Sequence, residues 1–67
     1  MSIEGYFDRV IDIWYDENTK RTPTLIKEMK SVLRNFYQCR DFYEEITPER
    51  VKDLSEKFDK IYREVYK

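Results

Sequence analysis

The sequence contains no histidine, only one cysteine (Cys39), only one glycine (Gly5) and two prolines. Without histidine, the chain lacks the commonest general base near neutral pH and the commonest side-chain ligand for transition metals. A lone cysteine can form neither an internal disulfide nor a cysteine–histidine nucleophile pair, and one glycine cannot build a phosphate-binding loop. We therefore expect no enzymatic activity, no cofactor and no metal site.

Long apolar runs are also missing, since none approaches the roughly 20 residues of a transmembrane helix. The first residues have neither the basic nor the apolar segment of a secretory signal peptide. A single unpaired cysteine is typical of a reducing compartment. These features predict a cytoplasmic protein without membrane contact, in the host cytoplasm if the source is a virus.

An excess of one charge is absent as well, because 13 lysines and arginines nearly balance 14 acidic residues. The chain is instead rich in aromatic residues, with one tryptophan, four phenylalanines and six tyrosines. Each buried ring removes about 150–250 Å² from water, which can stabilise a short chain without disulfides. We predict one domain over residues 1–67. Abundant lysine and glutamate with few amides fit an archaeal source, and the small size also fits a virus or plasmid.

Two threonine–proline pairs divide the chain. Thr22-Pro23 and Thr47-Pro48 each have the order of a helix N-cap followed by proline at the first helical position. In all three segments, apolar residues recur at three- and four-residue spacing. This pattern predicts helices over about residues 3–17, 23–45 and 48–66, joined by short connections. Because short connections make neighbouring helices antiparallel, we predict an all-α fold, an antiparallel three-helix bundle.

The second predicted helix is longer than the first, roughly 35 Å against 22 Å, so its last turns should project. Phe42 lies off the apolar stripe of this helix. Either the third helix or a second molecule should cover the projecting aromatic end, which predicts a protein-binding surface and a possible homodimer. The aromatic end consists of Phe36, Tyr37, Phe42 and Tyr43.

Two charged sets offer further candidate sites. An acidic row on the first helix repeats at every fourth position, which fits a solvated face or a surface that docks on a basic protein. A basic set between residues 20 and 34 fits a solvated face or a phosphate-contacting patch. The acidic row consists of Glu4, Asp8, Asp12 and Asp16. The basic set consists of Lys20, Arg21, Lys27, Lys30 and Arg34.

The preferred interpretation is a small non-enzymatic protein-interaction module, an adaptor or inhibitor that covers a site on a larger partner. It would bind through the aromatic end or, second, through the acidic row. The alternative is a helical nucleic-acid-binding regulator that uses the basic set. Glu49 and Asp53 at the start of the third helix disfavour a helix-turn-helix reader, because that position should meet bases and phosphates.

Overall fold

The computed structural model describes residues 2–42 and 44–66, and within these ranges it contains helices and no strand. Helix α1 spans Ile3–Tyr15, α2 spans Pro23–Cys39 and α3 spans Pro48–Val65. A 3₁₀ turn, Arg40–Phe42, follows α2 directly. The predicted fold class, an all-α three-helix bundle, is confirmed.

Each helix begins at a hydroxyl side chain that accepts a hydrogen bond from the backbone. Thr22 Oγ1 accepts from the N–H of Leu25, and Thr47 Oγ1 accepts from the N–H of Arg50, with proline next in sequence in both cases. The two predicted threonine caps are therefore confirmed. Ser2 caps α1 in the same way, so this helix begins at Ile3, where the apolar spacing predicts it, although the cap itself was not predicted.

The ends of the helices differ more from the predictions than their starts. Helix α2 stops at Cys39, six residues before the predicted end at residue 45, and α1 stops at Tyr15 instead of residue 17. Ile46 is buried in the core, so the chain must turn back before Thr47 and cannot continue as a projecting helix. Phe42, in the 3₁₀ turn after Cys39, is 80% exposed.

The helices run up, down and up. Glu4 near the start of α1 bonds Arg50 near the start of α3, and Trp14 near the end of α1 bonds Glu64 near the end of α3. Helices α1 and α3 are therefore parallel. Helix α2 runs opposite to both, as predicted for neighbours with short connections.

One phenylalanine from each helix meets in the centre of the core. The ring centroids of Phe7 and Phe36 lie 5.2 Å apart, those of Phe7 and Phe58 lie 5.6 Å apart, and those of Phe36 and Phe58 lie 4.6 Å apart. Two of these contacts are edge-to-face, the arrangement that the aromatic quadrupole favours. The other buried residues surround this trio: Ile11, Trp14, Met29, Leu33, Ile46, Leu54 and Ile61.

Truncating the central ring should nearly abolish folding. We expect Phe36→Ala to lower the free energy of unfolding by about 3–5 kcal/mol, because it removes a fully buried ring and leaves a cavity. That loss is a large part of the roughly 5–15 kcal/mol that stabilises a native protein. Urea denaturation followed by circular dichroism measures it. Phe42→Ala is the matched control and should change stability by less than about 0.5 kcal/mol; equal losses would contradict the assigned core.

Candidate functional site

The acidic row does not form a single free surface. Arg50 Nη2 donates to both carboxylate oxygens of Asp8 at 2.8 Å, and Arg50 Nε donates to Glu4. Arg50 Nη1 also donates to Asp53 at 2.6 Å, and Lys57 lies 3.3 Å from the same carboxylate. Half of the predicted row is therefore used inside the molecule, where it holds the starts of α1 and α3 together.

Arg50 is the central residue of this network, and the sequence analysis did not single it out. Its hydrogen bonds to Glu4 and then to Asp8 raise the pKa of its guanidinium above the ordinary value, so it stays charged. A guanidinium suits three carboxylates because its donors form a planar fork. The pairing could have been predicted from the bundle topology. Because α1 and α3 are parallel, Glu4 and Asp8 near the start of α1 lie beside Arg50 near the start of α3.

The other two acids of the row lie further along α1. Asp12 lines a cavity of about 510 Å³ between α1 and α3, together with Lys57, Lys60 and Arg63. Asp16 is exposed, and its carboxylate accepts the backbone N–H of Asn18 at 2.8 Å. Among the described residues, no group of three potential ligands could hold a metal ion.

Removing the guanidinium should loosen the contact between α1 and α3. We expect Arg50→Gln to lower the midpoint of thermal unfolding, because Glu4 and Asp8 would then repel each other without a partner. The wild-type midpoint should fall as salt is added and the variant's should fall less, since added ions screen these partly exposed pairs. Lys52→Gln on the exposed side of α3 is the control. Equal midpoints for wild type and Arg50→Gln at low salt would contradict the role of the network.

The residues of the aromatic end lie in different environments. Phe36 is fully buried in the core, so it presents no surface to a partner in the folded chain. Tyr37 is half-buried, and its hydroxyl donates to Asp59 at 2.5 Å. Phe42 in the 3₁₀ turn is exposed, while Tyr43 lies outside the described residues. Helix α3 thus covers part of the predicted end and leaves Phe42 uncovered.

The hydroxyl of Tyr37 should make stability depend on pH in alkaline solution. Burial, and then the hydrogen bond to Asp59, raise the pKa of Tyr37 above the usual value of about 10. The folded chain therefore binds this proton more tightly than the unfolded chain, and the resulting stabilisation is present below pH ~10 and lost as pH rises further. We expect Tyr37→Phe to remove part of that alkaline loss in urea denaturation. Tyr6→Phe, whose hydroxyl has no hydrogen-bond partner among the described residues, should keep it.

The basic set separates into paired and unpaired residues. The guanidinium of Arg21 lies 4.2 Å from the centroid of the Trp14 ring and 3.4 Å from a carboxylate oxygen of Glu64. The ammonium of Lys30 lies 5.0 Å from the centroid of the Tyr66 ring. Among the side chains that the structure describes, none forms an ion pair with the remaining three basic residues, Lys20, Lys27 and Arg34.

Tyrosines of α3 lie beside this basic side of α2, an arrangement that the sequence analysis missed. The rings of Tyr62 and Tyr66 are 4.6 Å apart and inclined by 32°, and Tyr62 meets Tyr37 edge-on at 6.2 Å. Tyr62 and Tyr66 are each about half exposed. Their spacing of four residues on α3 was visible in the sequence. It indicates a candidate site only once the fold places the lysine and arginine side chains of α2 next to the two rings.

A groove between α1 and α2 is an apolar opening that the sequence analysis missed. Helices α1 and α2 pack more closely on α3 than on each other, which leaves a cavity of about 390 Å³ between them. Tyr6 and Ile13 stand on its α1 side and are 45% and 46% exposed. The remaining lining residues are Val10, Trp14, Leu25, Glu28, Met29, Ser31, Val32 and Asn35.

The breadth of the apolar arc on α1 was the available signal for this groove. Tyr6, Ile11 and Ile13 widen the stripe beyond what one neighbouring helix covers. The structure uses one edge of the arc, including Ile11, against α3 and the core. The other edge, with Tyr6 and Ile13, remains open to solvent.

Comparison of the chain with protein-family models, with characterised proteins and with solved structures finds no match. No helix in the described part of the chain combines the length and apolar character needed to cross a membrane.

Proposed function

We propose that this protein is a non-enzymatic protein-interaction module, an adaptor or inhibitor, that binds an amphipathic helix of a larger partner in the groove between α1 and α2. The observation that carries the proposal is the open groove itself, with Tyr6 and Ile13 half exposed at its rim. In water, such apolar area is unfavourable at about 25 cal/mol per Å², so covering it supplies binding free energy. The absence of histidine from the sequence keeps the proposal in the non-enzymatic class.

The shape of the groove favours a helix as the occupant. It runs between two antiparallel helices, and a partner helix laid into it would complete a four-helix arrangement with α1, α2 and α3. Helix-in-groove binding uses apolar residues at positions i, i+3, i+4 and i+7 of the bound helix. Val10 and Val32, half-buried on the two sides, offer the β-branched surface for such residues.

The charge of the groove determines which charged residues should lie beside the apolar face of the partner helix. Glu28 is the one charged residue among those that line it, and within the described ranges its carboxylate has no ion-pair partner. Ser31 and Asn35 are the neutral polar residues nearby. A lysine or arginine beside the apolar face of the bound helix would meet Glu28, so we expect a basic amphipathic helix and not an acidic one.

Trp14 provides the readout for the test, because it lines the groove and is the only tryptophan in the chain. We expect a synthetic amphipathic helical peptide of leucine and lysine to change the fluorescence of Trp14, and the change should reach a plateau as the peptide concentration rises. Ile13→Asp should weaken that binding at least about tenfold, or roughly 1.4 kcal/mol, because a carboxylate would be desolvated at the rim. The matched control is Tyr15→Asp, since Tyr15 is exposed to the same 46% but does not line the groove.

A charge exchange makes the test specific. A leucine–glutamate peptide of the same pattern should bind the wild type more weakly, and Glu28→Lys should reverse this preference. Equal binding of both peptides, or equal loss in Ile13→Asp and Tyr15→Asp, would overturn the proposal.

Light scattering of the chain alone tests the predicted homodimer. A dimer that Ile13→Asp dissociates and Phe42→Ala leaves intact would place a second copy in the groove instead of a partner helix.

A further inference from the structure

The side of α2 that lies opposite the α1–α2 groove, where α2 meets α3, combines exposed tyrosine rings with unpaired lysine and arginine side chains. Tyr62 and Tyr66 stack on each other and are each about half exposed. Lys30 lies over the Tyr66 ring, and the guanidinium of Arg40 lies 5.9 Å from the Tyr37 centroid. We refer to this surface as the tyrosine face; it comprises Tyr37, Tyr62, Tyr66, Lys27, Lys30, Arg34 and Arg40.

The charge of the tyrosine face is predominantly positive. Lys27, Lys30 and Arg34 recur along one side of α2 at three- and four-residue spacing, so they project in nearly the same direction. Glu28, the acid of α2, instead lines the groove toward α1. On α3, Asp59 contacts α2, and the hydroxyl of Tyr37 occupies one of its carboxylate oxygens. A polyanion would therefore meet a row of basic side chains on α2 beside Asp59, whose carboxylate is hydrogen-bonded to Tyr37.

The rings specify the kind of polyanion. Aromatic side chains stack on the nucleobases of single strands, whatever the nucleotide sequence. Nucleobases inside a duplex are already stacked on one another and cannot reach a ring on the surface of a protein helix. The lysine and arginine side chains next to the rings would contact the phosphates that flank each stacked nucleobase. An acidic peptide would satisfy the charges but would leave the tyrosine rings without a stacking partner.

We propose that the tyrosine face binds single-stranded nucleic acid, with Tyr62 and Tyr66 as the stacking platform and Lys27, Lys30 and Arg34 as phosphate contacts. The site is separate from the α1–α2 groove, because the two surfaces lie on opposite sides of α2. It also differs from the basic set of the sequence analysis. Arg21 belongs to the Trp14–Glu64 contact, and two tyrosines of α3 are added.

Fluorescence anisotropy of labelled oligothymidylate and oligouridylate tests the proposal at low salt. Both strands should bind, and the logarithm of the association constant should fall with the logarithm of salt concentration with a slope of about −2, for three phosphate contacts at −0.7 each. Tighter binding of either strand identifies the preferred backbone. A duplex of the same length should bind at least about tenfold more weakly than the single strands, since its bases cannot stack on the rings.

Variants separate stacking from charge. Tyr66→Ala should weaken binding about tenfold, whereas Tyr66→Phe should keep it, because stacking needs the ring and not the hydroxyl. Tyr15→Ala is the matched control, with a tyrosine that is 46% exposed like Tyr66 but lies on the α1–α3 side. Arg34→Gln should reduce the magnitude of the salt slope by about 0.7. Circular dichroism verifies that each variant is folded.

Three results would overturn the proposal. The first is no binding of either single strand at low salt. The second is equal binding of polyglutamate and oligothymidylate, which would show a surface for acidic protein segments. The third is equal loss of affinity in Tyr66→Ala and Tyr15→Ala, which would exclude stacking at the tyrosine face. None of these results bears on the peptide experiment with Ile13→Asp, because that experiment reports on the groove.

Discussion

The contact among Phe7, Phe36 and Phe58 determines the rotation of each helix about its own axis, because each ring must point to the same centre. That rotation decides which residues of a helix face each neighbour. With Phe7 inward, Glu4 and Asp8 turn toward α3, while Tyr6 and Ile13 turn toward the space beside α2. The internal ion network and the open groove are thus two consequences of one aromatic contact.

The sequence predicted the features that depend on local chemistry. Threonine–proline pairs predicted two helix starts to the residue, the apolar spacing predicted three helices, and the short connections predicted their antiparallel order. The end of α2 was not predictable in the same way. The apolar and aromatic pattern continues past Cys39, and only the need to bury Ile46 brings the chain back.

The candidate surfaces were harder to predict because each depends on two helices. The acidic row looked uniform as a sequence pattern, yet the packing of α3 pairs Glu4 and Asp8 with Arg50 and leaves Asp16 exposed. Likewise, Phe36 and Phe42 differ by six positions and have the same chemistry, but one is fully buried and the other is 80% exposed. Spacing along one helix defines a face, and only the neighbouring helices determine whether solvent reaches it.

The long sequence separation of the contacts between α1 and α3 has a consequence for the order of folding. Glu4 and Arg50 are 46 residues apart, and Trp14 and Glu64 are 50 apart, while the two connections between successive helices are short. Closing a long loop costs more conformational entropy than closing a short one, so the α2–α3 hairpin can form before α1 and α3 meet. Detaching α1 is then the natural route of partial opening, and it would separate both walls of the groove while leaving the α2–α3 hairpin assembled.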